Sequence, residues 1–365
     1  MSVDAPARAP APPPTGTARR WTRTAVVIAA LFVLLVLGVL VLLGQGSVRI
    51  PIGEVASVLV GGDASRDVYE TVILDARLPK AFTAVLAGAA LAVGGAQMQT
   101  LFRNPLADPF VLGVSSGAQL GAAIVILGTT GTGLLSRLGV LDQLGVTGAA
   151  IVGAGLVLVL ALAVAQRIAG PVTVLIVGVM FGYLAAAVVD VLVYYTEPER
   201  LQSLAGFTRG TVRDVSWDDL QVLAPVCLVA VVVSLVLARP LNVLLLGERY
   251  AATMGIPVRA VQLLSLAAVA VLAGVTTAYC GVIGFIGLAA PHLVRGLLRT
   301  SDHRVVLPAS ALLGAVLVLV AEYVAGGNGL TETALPLNSV TAFIGAPVVL
   351  WVLLRRRRDS TQVPA

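Results

Sequence analysis

Ten stretches of the chain are almost uninterrupted apolar runs, near residues 24–43, 81–101, 113–128, 146–165, 172–194, 221–238, 259–280, 282–298, 305–325 and 338–354. A helix rises about 1.5 Å per residue, so roughly 20 such residues cross the hydrocarbon of a bilayer. The pattern predicts an all-α polytopic membrane protein with about ten transmembrane helices. The third and eighth runs are short or interrupted by Gly and Pro. The seventh and eighth are nearly continuous and divide around Gly281. The spans define a membrane domain over residues 21–358. Ahead of it lies an Ala/Pro-rich tail, 1–20, whose composition predicts disorder, and after it a short C-terminal tail, 359–365. Arg19-Arg20 before an apolar run has the look of a secretion signal. No small-residue cleavage site stands out and nine more runs follow, so the first run reads as an anchor that starts translocation.

Composition agrees with burial in lipid. Hydrophobic residues make up 58% and charged residues 12% of the chain, and mean hydropathy is +0.97. A soluble domain carries about twice that charge. Aromatics are scarce at 5%, so the apolar mass is Ala, Val, Leu and Gly, which let helices approach closely. Cys227 and Cys280 both lie inside apolar runs, where they read as small buried side chains. His292 and His303 are too few for a His-based metal cluster. No cofactor or metal is expected. The net charge of +5 is better read from its distribution than as nucleic-acid binding. With both termini on one side, that side collects 16 of the 24 Lys and Arg residues. The positive-inside bias then places both termini in the cytoplasm.

Four segments carry more than apolar filler. Arg77-Leu78-Pro79-Lys80 opens the second span on the expected outer side, where an outward positive pair suits an acidic partner. The stretch from Leu101 to Pro109 contains two prolines that forbid a helix across it. Gly113 to Gly117 then reopens one with two serines. Irregular backbone near membrane depth is tolerated where it lines a cavity or is buried in protein, so this segment is a candidate for the pathway. Leu241 to Pro257 is the longest interior loop on the terminal side. It reads as two short helices broken at Gly247, amphipathic, and in want of a partner groove. Gly281 to Arg299 keeps glycines at 281, 284 and 287 on one helix face and a kinking Pro291. Charges within spans are few: Asp190 and Glu322, each near an outer end. No central acidic pair exists for a proton or sodium relay, and no phosphate-binding loop is present, so any ATP hydrolysis must occur on another chain.

Together these segments resemble the FecCD family, the permeases of ABC importers for iron-siderophores, heme and vitamin B12. The matching stretches are Arg77 to Lys80 with Ala87 to Leu91, Asn104 to Pro109 with Leu112 to Gly117, Leu246 to Arg249 with Met254-Gly255, Gly284 to His292, Asp302 to Arg304, and Gly345 to Pro347. They occur in family order and cover about residues 24–358. The resemblance implies a type II ABC importer permease fold in the cell (inner) membrane. It implies a second permease subunit, as homo- or heterodimer, two ABC ATPase subunits below, and an extracytoplasmic substrate-binding lipoprotein above. It implies that Arg77 and Lys80 meet acidic residues of the binding protein. Asn104 and Leu106 would lie at the cytoplasmic gate, with Gly170, Pro171 and Val172 as a second gate segment. Leu246, Gly247, Glu248, Arg249, Ala251, Ala252, Met254 and Gly255 would belong to the coupling helices seated in the ATPase clefts. The chain departs from the pattern twice. The segment at 170–172 lacks the small hydroxyl residues common in relatives. Gly326 and the glycines after it stand where relatives often carry a basic residue. Competing readings are a non-ABC membrane transporter or channel, which needs an intramembrane ion site, and a membrane-embedded enzyme, which needs clustered His, Asp or Glu. The sequence offers neither.

Overall fold

The computed structural model describes residues 15–46, 48–62, 64–128, 140–167, 171–326 and 334–360. The spanning helices are α1 (Thr15–Gly44), α4 (Leu78–Leu101), α5 (Val114–Gly128), α6 (Val140–Arg167), α7 (Pro171–Tyr194), α9 (Trp217–Val236), α12 (Val258–Cys280), α13 (Ile286–Leu298), α14 (His303–Ala325) and α15 (Leu337–Ser360). Between them lie the shorter α2 (Ile52–Leu59), α3 (Asp67–Thr71), α8 (Pro198–Arg209), α10 (Ala238–Leu244) and α11 (Glu248–Thr253). Every apolar run in the sequence is a helix. Among the described residues, seven helices are long and apolar enough to cross a membrane. Three shorter apolar helices, Val114–Leu127, Ile286–Leu298 and Leu337–Leu350, bring the number to the expected ten. The chain is a multi-pass membrane protein. Helix α1 begins at Thr15, inside the stretch given above as a tail, and α15 runs to Ser360; the residues beyond both lie outside those described.

Helix α4 is the hub. From Ala81 to Leu101 nearly every side chain on it is buried, because α12, α13 and α14 all pack around it. The contacts are backbone on backbone. A Cβ at Gly95 would lie 1.9 Å from the Gly287 carbonyl oxygen on α13, and one at Gly88 would lie 2.3 Å from the Gly314 carbonyl oxygen on α14. In lipid the hydrophobic effect does not drive helices together, so close van der Waals contact through small residues takes its place. Arg295 of α13 adds a side-chain bond to the Gln99 Oε1, and the Gln99 amide donates to the Gly287 and Leu288 carbonyls at 3.4 and 3.3 Å. By contrast α1 and α7 expose most of their side chains, among them Phe32, Leu34, Ile176, Met180 and Leu184.

The short helices are short for a physical reason. Helices α12 and α13 are one apolar run broken at 281–285, where Gly281 (φ 67°) and Phe285 (φ 69°) are left-handed. The backbone this frees is satisfied within the protein: the Gly284 amide donates to the Asn338 Oδ1 at 3.0 Å, and the Thr211 amide to the Cys280 carbonyl at 2.8 Å. Buried backbone groups require such partners where no water reaches.

Helices α4 and α14 run antiparallel, so each end of the bundle is named here by the α4 residue it carries, the Lys80 end and the Leu101 end. The packing leads to an expected outcome. Gly95→Val should separate α4 from α13 and lose about 3 kcal/mol or more, by the logic of overpacking. Gly155→Ala, with nothing within 4 Å of the added carbon, should leave stability unchanged. Thermal melts in detergent, followed by size exclusion, decide between them.

Candidate functional site

At the Lys80 end the two basic residues of the Arg77–Lys80 motif have separate fates. Arg77 is buried; its guanidinium donates to the Leu43 carbonyl at 2.6 Å and to the Val48 carbonyl. It fastens the end of α1 to the start of α4 and presents no outward charge, which corrects the expectation of an outward pair. The cause is local. The chain leaving α1 turns back at Gly46 (φ 158°), lies directly over the guanidinium, and aims carbonyls at it. Lys80 pairs with Glu322 of α14, Nζ to Oε1, at 2.8 Å. Arg213, in the loop between α8 and α9, pairs with the same oxygen through Nε at 2.6 Å. Glu322 is 1% exposed, and a lone buried carboxylate would be very costly, so two cations hold it and leave one net positive charge. A cleft of about 270 Å³ opens beside the group, lined by Arg209, Thr211, Arg213, Asp214 and Leu335. Arg213 also reaches to 3.9 Å from where a Cβ of residue 326 would sit. Sequence reasoning missed Arg213. The available signal was Glu322 itself, a carboxylate inside an apolar run that had to find its counter-charge.

At the Leu101 end, α4 stops where Arg103 takes a left-handed φ of 47°. The Arg103 amide donates to the Thr100 carbonyl at 3.2 Å and the Asn104 amide to the Gln99 carbonyl at 3.2 Å. Asn104 turns its side chain back on its own loop: Oδ1 accepts from the Leu106 amide at 2.9 Å. It shapes the turn, and the turn presents Leu106 to the surroundings. Asp108 then caps a short 3-10 turn, Pro109–Leu112, through Oδ1 to the Phe110 amide at 2.9 Å. Pro109 folds back against Gly94 and Gly287, so the segment re-enters the bundle. Gly170 lies outside the described residues; Pro171 and Val172 open α7.

The segment 238–257 is a helical hairpin, as its breaker residues predict. Helix α10 ends, Gly247 takes φ 120°, α11 follows, and Gly255 (φ 79°) closes it. Leu241, Leu244 and Ala251 pack inward, and the Glu248 carboxylate accepts from the Gln262 amide at 3.0 Å. Leu246, Tyr250 and Met254 point away from the protein, 67%, 53% and 56% exposed. Arg249 and Ala252 are exposed beside them. Ala251 is fully buried, so it supports the hairpin from within and is not on the contact face expected for it above.

Behind the hairpin lies a buried polar chain that the sequence did not reveal. The Asn242 side chain on α10 donates to the Asp302 Oδ1 at 2.5 Å and accepts from the His303 amide at 2.8 Å. The His303 ring, fully buried, meets Asn242 Oδ1 through Nδ1 at 2.8 Å and Thr100 Oγ1 through Nε2 at 2.7 Å.

The FecCD transport family model matches residues 33–355. A vitamin B12 import system permease protein of Klebsiella pneumoniae is 37% identical over 340 residues, 93% of this chain and 95% of that one. A protein of Methanocaldococcus jannaschii described as an ABC transporter permease is 32% identical over 314 residues, 85% of this chain and 88% of that one. A solved metal-chelate type ABC transporter in an inward-facing conformation superposes with a TM-score of 0.78 at 27% identity, over 91% of this chain and 99% of that one.

The buried Asp108 yields a pH prediction. It sits in the turn between α4 and α5, and burial pushes its carboxyl up to about 6, with the Phe110 amide pulling the other way. The folded state therefore holds the proton more tightly than the unfolded chain. Stability from this group is full at low pH and is lost as pH rises through about 6. Asp108→Asn keeps an oxygen for the Phe110 amide and removes the titration. Melting curves from pH 4 to 7.5 should show the variant gaining on the wild type by roughly 3 kcal/mol at the upper end. Parallel pH profiles would contradict the assignment.

Proposed function

As a member of the FecCD transport family, this chain is an ABC-importer permease, and we propose that its cargo is an iron-siderophore, heme or cobalamin-type chelate moved inward across the inner membrane. The likeness to a vitamin B12 permease and to a metal-chelate transporter supports a chelate cargo. The observation that carries the mechanism is the hairpin at the Leu101 end. Three large apolar side chains, Leu246, Tyr250 and Met254, stand exposed on a rigid helical turn beyond the ends of the spans. Such a face asks for a groove on another protein, and the sequence holds no phosphate-binding loop of its own. An ATPase subunit is the partner that supplies both. The Leu101 end is then cytoplasmic, in agreement with the basic residues gathered there, and both termini are cytoplasmic with it. A second permease subunit, identical or homologous, completes the pathway, which Leu106 on the Asn104 turn closes, with Pro171 and Val172 at the start of α7 as the second gate segment.

The Lys80 end then faces an extracytoplasmic binding protein. Arg77 is engaged with carbonyls, so the docking charge falls to Lys80, Arg213 and the exposed Arg209 around the cleft. Arg213 comes up beside Gly326.

Two outcomes are expected. With cysteine introduced singly along the hairpin, positions 246, 250 and 254 should cross-link to the co-assembled ATPase, and position 251 should not. An ATPase that co-purifies but cross-links nowhere from 246 to 254 would move the coupling elsewhere. For docking, an exposed ion pair contributes about 0.2–1 kcal/mol. Reversal of Arg209 to Glu should therefore weaken binding-protein affinity by a few fold and flatten its salt dependence. Arg77→Gln should instead act through stability alone. Equal affinity for the Arg209 variant across salt concentrations would exclude this surface.

A further inference from the structure

The polar chain behind the hairpin joins three elements that are far apart in sequence. The hairpin has a local polar anchor, Glu248 to Gln262, on the helix that directly follows it. Another anchor crosses the fold, from Asn242 on α10 to Asp302 and His303 at the start of α14, and through the His303 ring to Thr100 in the last turn of α4. Thr100 is also the residue whose carbonyl holds the amide of left-handed Arg103, the first step of the turn that carries Leu106.

Hydrogen-bond accounting fixes the direction of each link. The Asn242 amide nitrogen faces the Asp302 carboxylate, so Oδ1 is the atom that faces His303. Oδ1 can only accept, and the ring Nδ1 must therefore carry a proton. In the neutral ring Nε2 is then an acceptor, and the Thr100 hydroxyl donates to it. The same hydroxyl lies 3.0 Å from the Ala96 carbonyl, but its one hydrogen serves a single acceptor at a time. The bond to His303 is thus directional and specific to a hydroxyl. Apolar side chains at these three places would fill the space at less desolvation cost. They would slide under load, whereas the two directional bonds in series through the His303 ring keep one register between the hairpin and the end of α4.

We propose that Asn242, His303 and Thr100 are positioning residues that carry a displacement of the 238–255 hairpin directly to the last turn of α4, and from there to the turn bearing Leu106. The proposal rests on the ATPase-coupled reading of the hairpin. It gives that reading a route to the gate that does not pass through the length of any span.

The test uses the permease co-purified with its ATPase. One nitroxide label is placed at Met254→Cys on the hairpin and, in a separate sample, one at Leu106→Cys on the turn; Cys227 and Cys280 are both buried. Spectra are compared without nucleotide and after trapping with ATP and vanadate. In the otherwise wild-type chain both labels should respond. With Thr100→Val, a change that keeps the shape and removes the hydroxyl, the Met254 label should respond as before and the Leu106 response should fall at least about fivefold. Asn242→Leu, which breaks the chain at its other end, should give the same split, and Thr100→Ser should restore the Leu106 response. A purely packing role would lower the melting temperature and leave the two labels responding in proportion. A full Leu106 response in both Thr100→Val and Asn242→Leu would overturn the proposal. A Met254 label silent even in the wild-type background would overturn the ATPase-coupled reading itself, and this proposal with it.

Discussion

Everything in this structure hangs on the contact between the backbones of α4, α13 and α14. At Gly95 against Gly287 and Gly88 against Gly314 there is no room for a methyl group. Inside a bilayer, lipid tails satisfy apolar side chains as well as protein does, so only contacts that lipid cannot match hold helices together. Flush backbone packing is such a contact. It makes α4 a fixed post through the middle of the molecule, about 35 Å long from its 24 residues at about 1.5 Å each. The two ends of that post bear the two regions with functional chemistry, Lys80 at one and Thr100 with its following turn at the other.

A second constraint follows from the first. Packing this tight admits no water, so each departure from helix near membrane depth needs its own hydrogen-bond partners. Asn338 supplies one for the 281–285 break. The buried ion group at Glu322 and the polar chain through His303 obey the same rule for side chains. These polar groups sit where backbone bends or where elements must keep register, and the exposed surfaces of α1 and α7 are mostly apolar.

The spans were legible because a single property, apolar length, decides them, and Gly247 was legible because glycine permits the positive φ that a sharp reversal between two helices takes. What could not be read are features that depend on chain brought from far away. Arg77 looks like an outward charge until the carbonyls of Leu43 and Val48 arrive over it from 34 and 29 residues upstream. Arg213 finds Glu322 across 109 residues, and Thr100 finds His303 across 203. Ala251 belongs with these: its neighbours at 250 and 254 flank it on the helix, and only the packing of the hairpin onto the bundle shows that it faces inward.

The flush contact at Gly95 also has a meaning for biosynthesis. Its partner Gly287 lies 192 residues downstream. At ribosomal rates of roughly 5–20 residues per second, α13 emerges about 10–40 s after α4. During that interval α4 lies in the bilayer without the helices that later cover it. It exposes Gln97, Gln99 and Thr100 to lipid, and its window is the least apolar of the seven long spans, with a mean hydropathy of 1.5. The most central helix of the finished molecule is therefore its least secure intermediate. Until α13 and α14 are made, α4 must hold its place in the bilayer on that modest hydropathy alone.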